Sequence, residues 1–194
     1  VLKPLAAPAR GFSLIEVVAT ITLLALLLGL AAPAFANWVR GAQVRTASDA
    51  LQSGLRMAQA EAVRRNRQVV FFRTESTACD GSSAASATGN HWAIRTVPLL
   101  VGESAEVLQC GVLREHTAAV TLSGPRALCF NSAGRQVANN DPGVGGAPCT
   151  LDANGVSTYE LTAPQAERTL RVRVSLAGQV RMCLVGGSGP EACP

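Results

Sequence analysis

One carboxylate in this sequence stands where carboxylates are costly. Glu16 is the fifth residue of an apolar stretch counted from Phe12, and residues 17–39 beyond it carry no charged side chain. A carboxylate at membrane depth is expensive to keep and marks function where it is kept. A second reactive set is six cysteines: Cys79, Cys110, Cys129, Cys149, Cys183 and Cys193. None forms a C-x-x-C pair, and His91 and His116 lie near no cysteine pair with zinc-ligand spacing, so no metal site is expected. An even number in a polar β-rich region behind a membrane segment predicts disulfides in an oxidising compartment. Among 15 connectivities, pairing of sequence neighbours (79–110, 129–149, 183–193) is the expectation. A third set is basic: Arg168, Arg171, Arg173 and Arg181 lie within fourteen residues, with Glu167 beside them.

Enzyme chemistry finds no constellation. Ser13 and Ser175 have no histidine at motif spacing, and His91 beside Trp92 reads as a strand residue. Gly186-Gly187-Ser188-Gly189 lacks the lysine and helix of a phosphate loop. The expectation is a protein of assembly or binding, not an enzyme, with no cofactor.

These residues sit on two chemically different parts. The 194 residues are 48% hydrophobic and only 15% charged, with mean hydropathy +0.23. That is too apolar for an ordinary soluble domain and excludes a disordered chain. The apolar excess belongs to residues 12–36, long enough for the ~20 residues a membrane helix needs. Lys3 and Arg10 before it predict a cytoplasmic leader and a periplasmic body. Gly29 and Pro33 soften the helix. The stretch exceeds an ordinary signal h-region, and Glu16 argues against signal cleavage at the A-x-A-like sequence of Ala31–Ala36.

The helical pattern continues through residues 37–67. Val44, Ala47, Leu51, Leu55, Ala58 and Ala62 recur at spacings of three and four, with Arg40, Arg45, Asp49, Arg56 and Arg64 mostly on other faces. One helix of about 50 residues is predicted, its second half laid on a sheet. Residues 68–194 read as strands at 68–73, 91–97, 107–113, 119–122, 127–131, 158–162, 169–176 and 180–185. Two segments, 80–90 and 137–155, read as long loops. Net charge is +4, but without Lys3 and Arg10 the remainder is nearly neutral, so bulk charge is weak evidence for a nucleic-acid partner. Arg64, Arg65 and Arg67 fit a helix C-terminus by its dipole.

Gly11-Phe12-Ser13-Leu14-Ile15-Glu16, behind a basic leader and before the apolar run, resembles the prepilin processing motif of type IV pilins and type II secretion pseudopilins. The resemblance implies cleavage after Gly11 by a prepilin peptidase and N-methylation of Phe12. Pro33 matches the family's helix-softening proline. In a filament Glu16 would then neutralise the Phe12 amine of a neighbouring subunit in a low-dielectric core. The body resembles the GspH/FimT branch through Leu55–Arg65 followed by Val69-Val70-Phe71, through the Trp92 strand, and through Phe130-Asn131-Ser132-Ala133-Gly134-Arg135. This implies an α+β pilin fold, a long N-terminal helix packed on an antiparallel β domain.

FimT-like minor pilins implicated in DNA uptake carry a C-terminal Gly-Arg-x-Arg pattern followed by cysteine. The matching stretch here is Gly178-Gln179-Val180-Arg181-Met182-Cys183, with Gln179 where the first arginine is expected. The resemblance implies DNA contact through Arg181, with Arg171 and Arg173 compensating for Gln179 from the neighbouring strand. Whether they share a face depends on register. A two-residue turn at Ala177-Gly178 pairs Val174 with Arg181. A three-residue turn at 177–179 pairs Ser175 with Arg181, and this second arrangement is expected because it keeps Arg181 off the valine face. Three readings stand: a minor pilin that primes a pilus, the same pilin capturing double-stranded DNA, and a minor pseudopilin of a type II secretion system. Other pilins or pseudopilins, the prepilin peptidase and the inner membrane are the implied partners.

Overall fold

The computed structural model describes residues 12–100, 102–113, 120–166 and 168–193. One helix, α1, runs from Leu14 to Arg65 with Pro33 inside it. Its C-terminus is closed by Asn66 in the left-handed region (φ 50°). Asn66 N donates to Val63 O and Arg67 N to Ala62 O, each at 3.2 Å, which are the two bonds of a Schellman motif. The chain divides into two compact units, one up to Trp38 and one from Val39.

In the first unit the helix exposes its apolar side chains, Leu14, Ile15, Ile21 and Leu30 among them. By length and composition the helix can cross a membrane. The rings of Phe35 and Trp38 meet in a tilted arrangement with centroids 5.9 Å apart.

The second unit packs residues 39–65 of α1 on two antiparallel sheets. Its strands are β1 (Val69–Thr74), β2 (His91–Thr96), β3 (Val107–Val112), β4 (Thr121–Ser123), β5 (Ala127–Phe130), β6 (Gln136–Val137), β7 (Val156–Thr162), β8 (Leu170–Ser175) and β9 (Val180–Leu184). The five-stranded sheet has order β3-β2-β1-β5-β6 and the four-stranded sheet β4-β7-β8-β9. The predicted stripe of α1, Val44 to Ala62, is buried against Phe71, Trp92, Ile94 and Phe130 of the first sheet and Tyr159, Leu161, Val172 and Val174 of the second. Gly54 permits the close approach: a Cβ there would lie 2.9 Å from the Phe71 ring.

Strand β1 is buried at every position. Val69 and Phe71 face α1, whereas Val70 and Phe72 face a second cluster with Ala93, Ala127, Cys129, Val144, Ala147 and Cys149. The apolar run Val69–Phe72 is that of a strand covered on both faces. Its second cover is the segment read from sequence as a loop at 137–155. That segment contributes Val144, Ala147 and Cys149 to the core and a β-bridge between Asn139 and Cys149. Strand β6 was not legible in the sequence, since Gln136-Val137 is two residues held by β5. The expected strand at 119–122 is β4, with Ala119 outside the described residues.

Disulfides join Cys79 to Cys110, Cys129 to Cys149 and Cys183 to Cys193, the neighbour pairing. The second fastens β5 to the covering segment. The third returns the tail to β9, where Cys193 N donates to Leu184 O at 3.0 Å. Between the sheets lies the buried Arg73, whose Nη2 donates to Leu122 O at 3.1 Å. Burial pushes the Tyr159 phenol far above its ordinary value, with Arg73 acting in the opposite direction.

Candidate functional site

Two places carry chemistry, the head of α1 and the outer face of the four-stranded sheet. At the helix head Phe12 is 83% exposed. Gly11, the other half of the processing motif, lies outside the described residues. Ser13 is the N-cap: its Oγ and carbonyl O both accept from Glu16 N, at 3.3 and 3.1 Å. Further along, Thr20 donates to Val17 O at 2.9 Å and Thr22 to Ala19 O at 2.9 Å. The hydroxyls of this apolar segment are thus satisfied within their own helix. The Glu16 carboxylate is not: among the described residues it has no hydrogen-bond or ion-pair partner. The S-x-x-E spacing of Ser13 and Glu16 is a capping-box signal in the sequence itself. Pro33 lies in the same unit and has no N–H to offer α1.

On the outer sheet face, β8 and β9 pair with Arg173 opposite Arg181, Val174 opposite Val180 and Arg171 opposite Cys183. Ser175 N donates to Gln179 O at 3.0 Å, so the turn consists of Leu176, Ala177 and Gly178. Neither register considered from the sequence occurs. The turn has three residues but starts one position earlier, and the expected partner of Arg181, Ser175, is replaced by Arg173. A two-residue shift of pairing preserves side-chain parity. Arg171, Arg173 and Arg181 therefore do share a face, with Val172, Val174 and Val180 buried on the other.

Gly178 fixes this turn. Its φ is +85°, the left-handed residue that closes a three-residue hairpin loop. A Cβ there would sit 1.9 Å from Gly134 O and 2.4 Å from Gln59 Nε2. Gln59 Nε2 donates to Gly134 O at 2.9 Å, and Gln136 N donates to Leu176 O at 3.1 Å. The Gly134 turn is shaped by Asn131, whose Oδ1 accepts from Ala133 N and Arg135 N at 3.0 Å each. The end of α1, the Asn131–Arg135 turn and the hairpin tip thus meet at one point. Gly134 and Gln59 as its seat were not read from the sequence.

The arginines are not equivalent. Arg171 Nε donates to Glu160 Oε2 at 2.8 Å across the β7–β8 pair, with both side chains 38% exposed. Arg173 and Arg181 have no ion-pair partner among the described residues, and Glu167 lies outside them. Gln179 is exposed at the turn, where its N–H donates to Ser175 Oγ at 3.2 Å.

Each arginine of the other basic cluster is ion-paired. Arg64 reaches Glu61 at 2.6 Å, Arg65 reaches Glu61 at 2.9 Å and Glu106 at 2.6 Å, and Arg67 reaches Glu103 at 2.7 Å. Arg64, then Arg65, hold the Glu61 carboxyl below its ordinary range. Glu103 is lowered first by the Leu99 backbone N–H and then by Arg67. These pairs tie the end of α1 to the connection between β2 and β3, a role beyond the helix dipole. Among the described residues no group of three His, Cys, Asp or Glu side chains could hold a metal ion.

A family model described as type II transport protein GspH matches residues 47–178. The chain belongs to the GspH family. A second model, the prokaryotic N-terminal methylation motif, matches residues 7–32, which include the head of α1. This GspH-family chain thus joins a prokaryotic N-terminal methylation motif to a GspH-type body. A sequence comparison with curated proteins gives no match. Among solved structures, the type IV minor pilin FimU of Pseudomonas aeruginosa is similar at 15% identity, covering 72% of this chain and 87% of that one, with TM-score 0.45. The minor pseudopilin EpsH from the Type 2 Secretion System of Vibrio cholerae is similar at 11% identity, over 75% and 99%, with TM-score 0.47. E. coli GspH is similar at 9% identity, over 77% and 94%, with TM-score 0.40.

Proposed function

We propose that this chain is a minor pilin that enters a type IV filament through its apolar helix and binds DNA through the arginine face of its β domain. The observation that carries the first half is the Glu16 carboxylate, left without a partner among the described residues on an apolar segment whose threonine hydroxyls bond within their own helix. Cleavage after Gly11 leaves a methylated amine on Phe12, one helical turn from Glu16. In a filament of staggered helices the amine of one subunit meets the Glu16 of the next. Each charge then offsets a cost of about 3 kcal/mol that either would bear alone in an apolar core. Lys3 and Arg10 support an inner-membrane helix with the β domain in the periplasm before assembly. The test is Glu16→Ala in cells. The expected result is normal leader cleavage by mass and loss of the subunit from sheared filaments. Normal incorporation would refute amine pairing.

The second half rests on Arg173 facing Arg181. Like charges directly opposite destabilise a strand pair, and no described carboxylate compensates them. A polyanion removes the repulsion. Contacts would be to phosphate, hence independent of sequence and sensitive to salt. Duplex binding by the purified full chain in detergent should weaken in Arg181→Ala and hold in Arg45→Ala, a control already paired with Asp49. Equal affinity in both leaves the chain as an assembly subunit alone. The alternative, a minor pseudopilin of a type II secretion system, uses the same helix chemistry and gives Arg173 and Arg181 no phosphate ligand. Pilus or secretion genes beside its own separate these readings.

A further inference from the structure

The free edge of β9 is occupied from below. Ser175 and Gln179 form a hydrogen-bonded pair, so by antiparallel alternation Arg173–Arg181 and Arg171–Cys183 are hydrogen-bonded pairs too. Val180 and Met182 therefore turn their backbone polar groups away from β8, out of the sheet edge. Two side chains of α1 meet them there. Arg56 Nη2 donates to Val180 O at 3.3 Å. Gln52, with its amide oxygen toward the edge, accepts from Met182 N and Arg56 Nη2 at 3.3 Å each. The edge is thereby closed to pairing with another strand.

Arg56 itself is exposed and has no carboxylate partner among the described residues. A guanidinium carries five N–H donors in a rigid fork. Here one nitrogen is anchored on Val180 and Gln52, and the rest of the fork remains. The anchor lies between Gln179 and Arg181 along β9. That is where the Gly-Gln-x-Arg stretch lacks a positive charge, because residue 179 is glutamine. Since the side chain is already fixed, little conformational entropy is lost on contact with a ligand.

We propose that Arg56 is a third phosphate ligand of the arginine face, reaching the DNA backbone around the edge of β9 beside Arg181 and supplying the charge that Gln179 does not. This rests on the DNA-binding reading above. The test uses the full chain in detergent micelles and a duplex of arbitrary sequence, with affinity measured against NaCl concentration. Variants are Arg56→Ala, Arg56→Gln, Arg56→Lys and the double variant Arg173→Ala/Arg181→Ala. Each lost phosphate contact reduces the slope of log affinity on log salt by about 0.9. Arg56→Ala and Arg56→Gln should both lose about that much, while Arg56→Lys, which retains the charge, keeps the slope. Glutamine can still donate to Val180 O, so a purely edge-closing arginine would leave the Arg56→Gln slope at the wild-type value. That outcome, with the double variant impaired, overturns the role of Arg56 and leaves the DNA reading standing. A wild-type chain that binds no duplex, or a double variant that binds as wild type, overturns both.

Discussion

Replacing Gly178 by alanine should damage the β domain far more than the size of a methyl group suggests. Three costs add. The left-handed backbone at φ +85° disfavours a Cβ by about 1–2 kcal/mol. The methyl would stand 1.9 Å from Gly134 O, a backbone atom, so the hairpin tip and the Asn131–Arg135 turn must separate. Overpacking of this kind costs about 1–3 kcal/mol. Separation also breaks the bond from Gln59 to Gly134 O, worth about 1 kcal/mol. The sum is about 3–6 kcal/mol, or at least 6 °C in midpoint for a chain of this size. Urea and thermal unfolding of the full chain in detergent, with disulfides intact, gives the measurement. Fluorescence is read from buried Trp92, which stacks on Phe71 with centroids 5.8 Å apart. Gly186→Ala is the matched control. Its φ is +70°, but nothing lies within 4 Å of an added Cβ, so only the backbone cost applies. Equal destabilisation of the two variants would refute the contact argument, and the register of β8–β9 would need another cause.

Other substitutions probe the charges. Glu160→Gln should free Arg171 and steepen the salt dependence of duplex binding by about 0.9, one added phosphate contact; an unchanged slope means that Arg171 does not face the ligand. Glu103 is held below its ordinary value of 4.5 by the Leu99 N–H and Arg67. A depressed folded-state value stabilises above the ordinary value, and that stability is lost as pH falls through the folded value. The advantage of wild type over Glu103→Gln in urea midpoint should therefore shrink between pH 7 and about pH 3; a constant gap counts against the Glu103 tie. Replacing Cys183 and Cys193 together by serine removes a cross-link over a sequence separation of 10. The chain should lose about 2–3 kcal/mol, with rapid hydrogen exchange at the backbone N–H groups of residues 184 and 193, whereas retained protection would show that the tail holds without it.

What the sequence displayed was local. Glu16 stands out because its cost is set by its immediate apolar neighbours. The buried stripe of α1 reads directly from a period fixed by helix geometry. What it concealed depended on partners far along the chain. Parity placed Arg171, Arg173 and Arg181 outside the sheet, but parity is blind to a two-residue shift. The actual register is chosen where Gly178 meets Gly134 and Gln59. Likewise the strand at 68–73 was legible, but not that residues 137–155 cover its second face.

Charge accounting shows the same division. Composition gave a nearly neutral body, and that average hides a segregation only the fold displays. Arg64, Arg65 and Arg67 are bound to Glu61, Glu106 and Glu103, and Arg171 to Glu160. Arg95, Arg126, Arg135 and Arg168 also have no carboxylate partner among the described residues, but Arg56, Arg173 and Arg181 are gathered at the β8–β9 hairpin. Mutual repulsion would favour dispersing or pairing these three, and a solvated edge needs no such concentration of charge. A phosphate backbone can use it, because each phosphate that a cation neutralises releases a counterion. Carboxylates hold Arg64, Arg65, Arg67 and Arg171 in structural ion pairs, whereas the three arginines at the hairpin keep their charge available to a polyanion.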